Sequence, residues 1–151
     1  MKRYLLIGLC VLAHVAMAAT DYRSSVVGQW QCQSRVATEY GNTLAVGDVT
    51  FGDNGALEGR GNLLLSHPSI TTEIPLATVV TSRWRFENNV VYLSQIDGNI
   101  VSPYPLLNGM ATNLKQQALA NPTFSMQLIR IGSKTMAFKT PDGTEILCLR
   151  R

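Results

Sequence analysis

The segment Gly28 to Val36 alternates without a break: Trp30, Cys32, Ser34 and Val36 fall on one side of an extended chain, and Gln29, Gln31, Gln33 and Arg35 on the other. A helix would mix these sets, because its side chains come round about every 3.6 residues. A strand separates them, because successive side chains point to opposite faces. The segment therefore reads as a half-buried antiparallel strand with Trp30 and Cys32 turned inward.

The same pattern recurs along the chain. Leu44 to Phe51 is strand-like, with Gly47-Asp48 expected as a bulge, and Gly52-Asp53-Asn54-Gly55 has the composition of a hairpin turn into Ala56–Leu65. In that strand Leu57, Gly59, Gly61, Leu63 and Leu65 share a face. Two inward glycines imply either a sharply coiled strand or space left for something else. Ile74–Ala77 and Val79–Glu87 read as one bent strand or two short ones, and Asn88-Asn89 turns the chain into Val90–Ile96. Phe124–Ile131, Thr135–Thr140 and Thr144–Leu149 complete a meander. One helical pattern interrupts it: after Ser102-Pro103-Tyr104-Pro105, apolar residues recur at Leu106, Leu107, Met110, Ala111, Leu114 and Ala118. Its polar side is expected to carry Asn108, Asn113, Lys115, Gln116 and Gln117, and Asn121-Pro122 stops it. The expected fold is all-β: a single antiparallel barrel of about eight strands with one inserted amphipathic helix, a β-sandwich being the alternative.

The N-terminus supplies a compartment. Lys2 and Arg3, the apolar run Tyr4–Val15 and the small residues of Ala16-Met17-Ala18 are the three zones of a cleavable export signal, so residues 1–18 are expected to leave and residues 19–151 to form one domain. The apolar run is shorter than the about 20 residues that span a bilayer, and no later segment is long enough, so no transmembrane segment is expected in the mature chain. Cys10 reads as an ordinary apolar residue of the signal. The two cysteines that stay, Cys32 and Cys148, are expected to pair in an oxidising compartment, the bacterial periplasm first and the extracellular space second.

Charge narrows the partners. The formal net charge is +3, two of those positive charges being Lys2 and Arg3, and there is no block of like charge. Nothing here suggests nucleic acid or an anionic membrane as partner. Catalytic constellations are missing as well. His67 is the only histidine beyond the signal and sits in a loop-like Ser66-His67-Pro68-Ser69, with no Gly-x-Ser-x-Gly nucleophile motif to serve. One histidine with Glu73 nearby lacks the ligand count and spacing of a zinc site. Glu58, Glu73, Glu87 and Glu145 read as solvated strand faces, although two carboxylates brought together across a barrel could support glycosidase chemistry. In Ser82-Arg83-Trp84-Arg85-Phe86, alternation separates an inward Ser82, Trp84 and Phe86 from an outward Arg83, Arg85 and Glu87. No catalytic residue, metal or cofactor is expected.

Gly28-Gln29-Trp30 opens the first strand and Arg150 follows the last. In these residues the chain resembles the lipocalin and calycin barrels, whose first strand begins Gly-x-Trp and whose C-terminal arginine packs over that tryptophan at the closed end. It departs from them in placing its helix before the final meander and in lacking a mid-chain Thr-Asp-Tyr. The resemblance implies structural closure by Gly28, Trp30 and Arg150, and a barrel cavity for a small apolar ligand. Leu57, Leu63, Trp84 and Phe86 are the candidates to line it. The expected function is accordingly a non-enzymatic, exported binding protein of the cell envelope. The alternative is a periplasmic inhibitor or immunity protein that blocks an envelope-acting enzyme through an exposed loop, Leu65–Glu73 or Gly98–Pro105.

Overall fold

The computed structural model describes residues 21–66, 69 and 71–151; the expected signal with Cys10, and His67, lie outside the described residues. Eight strands follow one another as an antiparallel meander: β1 (Gly28–Thr38), β2 (Gly41–Phe51), β3 (Ala56–Ser66), β4 (Ile74–Glu87), β5 (Val90–Val101), β6 (Phe124–Ile131), β7 (Thr135–Lys139) and β8 (Glu145–Arg150). β8 pairs back onto β1 and closes the barrel. A single helical turn, α1 (Arg23–Val26), precedes β1. A 3-10 turn at Pro105–Leu107 leads into α2 (Asn108–Leu119), inserted between β5 and β6.

The barrel is tall on one side and short on the other. β1 to β5 are 11 to 14 residues long, whereas β6 to β8 have only 5 to 8. β5 meets β6 through Val90–Leu93 against Phe124–Gln127 and no further. Beyond that junction the wall is split, and α2 lies in the split.

Two apolar cores follow from this shape. At the closed end Trp30, Phe51, Leu57, Trp84, Val91 and Phe138 pack together, with Val26 of α1 as a plug beneath them. Phe51 and Trp84 meet edge to face, ring centroids 5.2 Å apart, a favoured geometry because the positive ring edge meets the negative face. At the other end Leu65 and Leu76 pack against Leu114 of α2, flanked by Tyr40, Ile74 and Met110. The N-terminal half of α2 thus roofs the tall side of the barrel.

Between the cores the strands coil hard. Gly47 and Gly61 are register partners on β2 and β3, and a Cβ on Gly61 would stand 2.2 Å from the Val46 carbonyl oxygen and 2.6 Å from Gly47 Cα. Backbone cannot yield as a side-chain tip can. Gly61→Ala is expected to destabilise the fold by about 1–3 kcal/mol, read as a lowered urea midpoint. Gly109→Ala is the control, since nothing lies within 4 Å of that position on α2. An unchanged midpoint in Gly61→Ala would show that the strands do not approach this closely.

Several expectations are corrected in detail. Gly47-Asp48 is not a bulge: β1 and β2 stay in register from Gly28↔Phe51 to Thr38↔Gly41. The bulge lies on the β4–β5 pair, where Gln95 takes φ 52° and the register shifts between Thr81 and Arg83. It lets β5 run on to Val101, past the Ile96 at which alternation had placed its end. Ile74–Glu87 is one strand, as the first of the two readings of that stretch had it. Val36 is 37% exposed despite its face, because β8 reaches only as far as Ser34 and leaves that end of β1 at the rim.

Candidate functional site

The inward side chains at mid-height are small: Ser34 on β1, Ala45 and Gly47 on β2, Gly59 and Gly61 on β3. They leave a space of about 160 Å³ beside the disulfide, bounded further by Leu63, Thr78 and Val80. Those last three residues also border a second cleft of about 230 Å³, which opens towards α2. Its other walls come from Val79 of β4, from Ile96–Ile100 of β5, and from Lys115, Ala118 and Leu119 of α2. Met110 and Leu114 of α2 pack into the second core, whereas Lys115, Ala118 and Leu119 border the cleft.

A polar clasp fixes the helix across the opening. Asn113 Nδ2 donates to Glu39 Oε1 (3.1 Å) and to Tyr40 Oη (2.8 Å), and Gln117 Nε2 donates to Glu39 Oε1 (2.6 Å). Asn113 and Gln117 are four residues apart and share a helix face, so both reach the β1–β2 turn.

Lys115 is the residue that sequence reasoning misplaced. It was expected on the polar side of the helix, yet it borders the cleft half-buried, next to Leu114 and three residues before Ala118. Ala111 and Leu114 are the buried residues of the helix, and Lys115 stands half-buried beside them. One signal was available: between Asp97 and Arg130 it is the sole charged residue.

The four candidates for a cavity lining are divided. Leu63 borders both spaces. Leu57 and Trp84 are buried in the closed-end core, and Phe86 packs against it. Trp84 also donates Nε1–H to the Gly52 carbonyl at 2.9 Å, with the Arg23 guanidinium 5.0 Å from its ring centroid.

At the closed end the Arg150 guanidinium carbon stands 4.2 Å from the centroid of the Trp30 ring. Arg150 donates to the carbonyls of Ser25 (2.7 Å), Val27 (3.3 Å) and Ser133 (3.1 Å), tying α1 and the β6–β7 turn to the last strand. Gly28 has φ +132°, and a Cβ there would come 2.8 Å from Arg150 Nη1, so glycine leaves the guanidinium its path. Trp30 Nε1 donates to the Val26 carbonyl at 2.8 Å. The α1 turn had no signature in the sequence, being only four residues long. Cys32 and Cys148 form a disulfide between register partners on β1 and β8.

The acids are dispersed. Glu58, Glu73, Glu87 and Glu145 are all exposed; Glu58 is paired in register with Thr50 and Thr81, Glu145 with Lys139, and Glu87 bonds Arg85. Among the described residues no three His, Cys, Asp or Glu side chains cluster as metal ligands would. Hydrogen bonds from the Thr140 hydroxyl and the Thr144 backbone hold the Asp142 carboxyl below the usual range, which is turn chemistry of the β7–β8 connection.

The sequence matches no described protein family and no curated protein. Among solved structures, the crystal structure of an uncharacterized protein from Bacteroides eggerthii DSM 20697 is similar, with 9% identity and a TM-score of 0.45 over 83% of this chain and 98% of that one.

Proposed function

We propose that the chain is an exported, non-enzymatic binding protein of the cell envelope, which holds a small apolar ligand between α2 and the inner faces of β3–β5. The observation that carries this reading is the cleft itself. Its apolar walls include Leu63, Val80, Ile96, Ile100, Ala118 and Leu119, and it shares Leu63, Thr78 and Val80 with the mid-barrel space. Apolar walls of this kind favour occupants that leave water for them. Size limits the occupant. An apolar cavity of about 150 Å³ takes benzene, so a cleft of about 230 Å³ suits roughly nine or ten carbons. Export rests on the three zones of residues 1–18 and is supported by the disulfide, since such bonds persist in oxidising compartments.

The test is a titration of the natively exported, disulfide-intact protein with 1-octanol, followed by methyl NMR. Saturable shifts are expected at Leu63, Val80, Ile96 and Ala118, and Ala118→Trp, which fills the cleft, should abolish them. Octanol shifts that never saturate, or that survive Ala118→Trp, would overturn the reading.

One observation favours the alternative, a module that blocks a protein partner. The Ser102–Leu107 loop presents Tyr104 at 54% and Leu106 at 97% exposure. The buried Ser102 hydroxyl holds the loop by bonding both Tyr104 N–H and Tyr104 C=O. A rigid apolar tip of that kind suits insertion into a partner's pocket.

A further inference from the structure

We infer that the ligand is an anionic amphiphile whose acid head pairs with Lys115 at the border of the cleft, its tail lying along Val80, Ile96 and Ala118. The inference rests on the cleft being a ligand site, as proposed above, and adds the chemical class. Residues 98–129 contain a single charge, and that charge, Lys115, stands half-buried on α2 beside the apolar walls of the cleft. A lysine stem can lie along apolar surface while its ammonium reaches polar surroundings, so the position suits a head group at the border and carbon beyond it.

The neighbouring acids do not neutralise it. Glu39 is engaged by Asn113 and Gln117, each two residues from Lys115 and so about 200° round the helix from it. Asp97 also borders the cleft; it is exposed, its Oδ1 accepts the Gly98 N–H at 2.7 Å, and it makes no ion pair with Lys115. The ion pairs among the described residues are Arg85–Glu87 and Arg151–Asp48, neither of which involves Lys115. A half-buried ammonium with no ionic partner favours an anion, because pairing replaces hydration it has partly lost.

Calorimetric titration with octanoate, 1-octanol and octylamine separates the ideas. Octanoate is expected to bind about fivefold to tenfold more tightly than octanol, and octylamine more weakly than either. Lys115→Met should bring the ratio of octanoate to octanol affinity to about one, while Lys115→Arg retains the preference. Octanoate binding no better than octanol, or a Lys115→Met loss shared equally by all three probes, would overturn the assignment of the head group and leave the apolar cleft standing. If none of the three binds, the binding reading falls, and this inference with it.

Discussion

Trp30→Ala is expected to unfold the domain or leave it barely folded. The side chain is fully buried in the closed-end core, and removing a buried indole costs about 3–5 kcal/mol, a large part of the about 5–15 kcal/mol that holds a domain together. Two further losses follow. The Val26 carbonyl loses its donor, which loosens α1, and Arg150 loses the ring beneath it. A cation over an indole contributes about 0.5–2 kcal/mol, so Arg150→Ala should weaken the fold modestly and shift Trp30 fluorescence to the red as water reaches the ring. Gln31→Ala is the control, one residue along and on the outer face. Thermal melts of the three variants decide it; if Gln31→Ala were as damaging as Trp30→Ala, the inward face assigned to β1 would be wrong.

Removing the disulfide should rank next. Cys32 and Cys148 are 116 residues apart in sequence, so their bond closes almost the whole domain into one loop and restricts the unfolded chain accordingly. The bond also lies within the β1–β8 seam, which pairs only Trp30–Ser34 with Ile146–Arg150. The Cys32→Ala/Cys148→Ala double variant is expected to lose about 2–5 kcal/mol, measured as a fall in the urea midpoint. Natively purified protein should show no titratable thiol at either position. Reactive thiols in that protein, or a midpoint unmoved by the double variant, would remove the disulfide from the account of stability.

The regular parts of the barrel were legible because each strand buries one face. Phe124–Ile131 has the expected limits, and the inward set of β3, from Leu57 to Leu65, follows from alternation alone. Legibility failed where the period breaks. Gln95 enters the left-handed region and shifts every later side chain of β5 by one position, so alternation ended the strand at Ile96 and left Gly98–Val101 to a loop. The site was less legible than the fold for a related reason. A cleft between a helix and a sheet depends on where the helix is held, and that is set by Glu39, Tyr40, Asn113 and Gln117, residues 73 to 78 positions apart in the chain. The closed-end triad of Gly28, Trp30 and Arg150 could be named from the ends of the chain, but Lys115 needed the position of α2 to be known.

The split in the wall gives α2 a second duty. Past Leu93, β5 has no strand partner on its β6 side apart from one bond between Ile96 N–H and the Pro122 carbonyl, and α2 lies alongside the stretch that remains. A bare strand rim is a template for any other extended chain. Displacing α2 would uncover that rim. The same twelve-residue helix therefore borders the cleft and covers the stretch of β5 that β6 leaves unpaired.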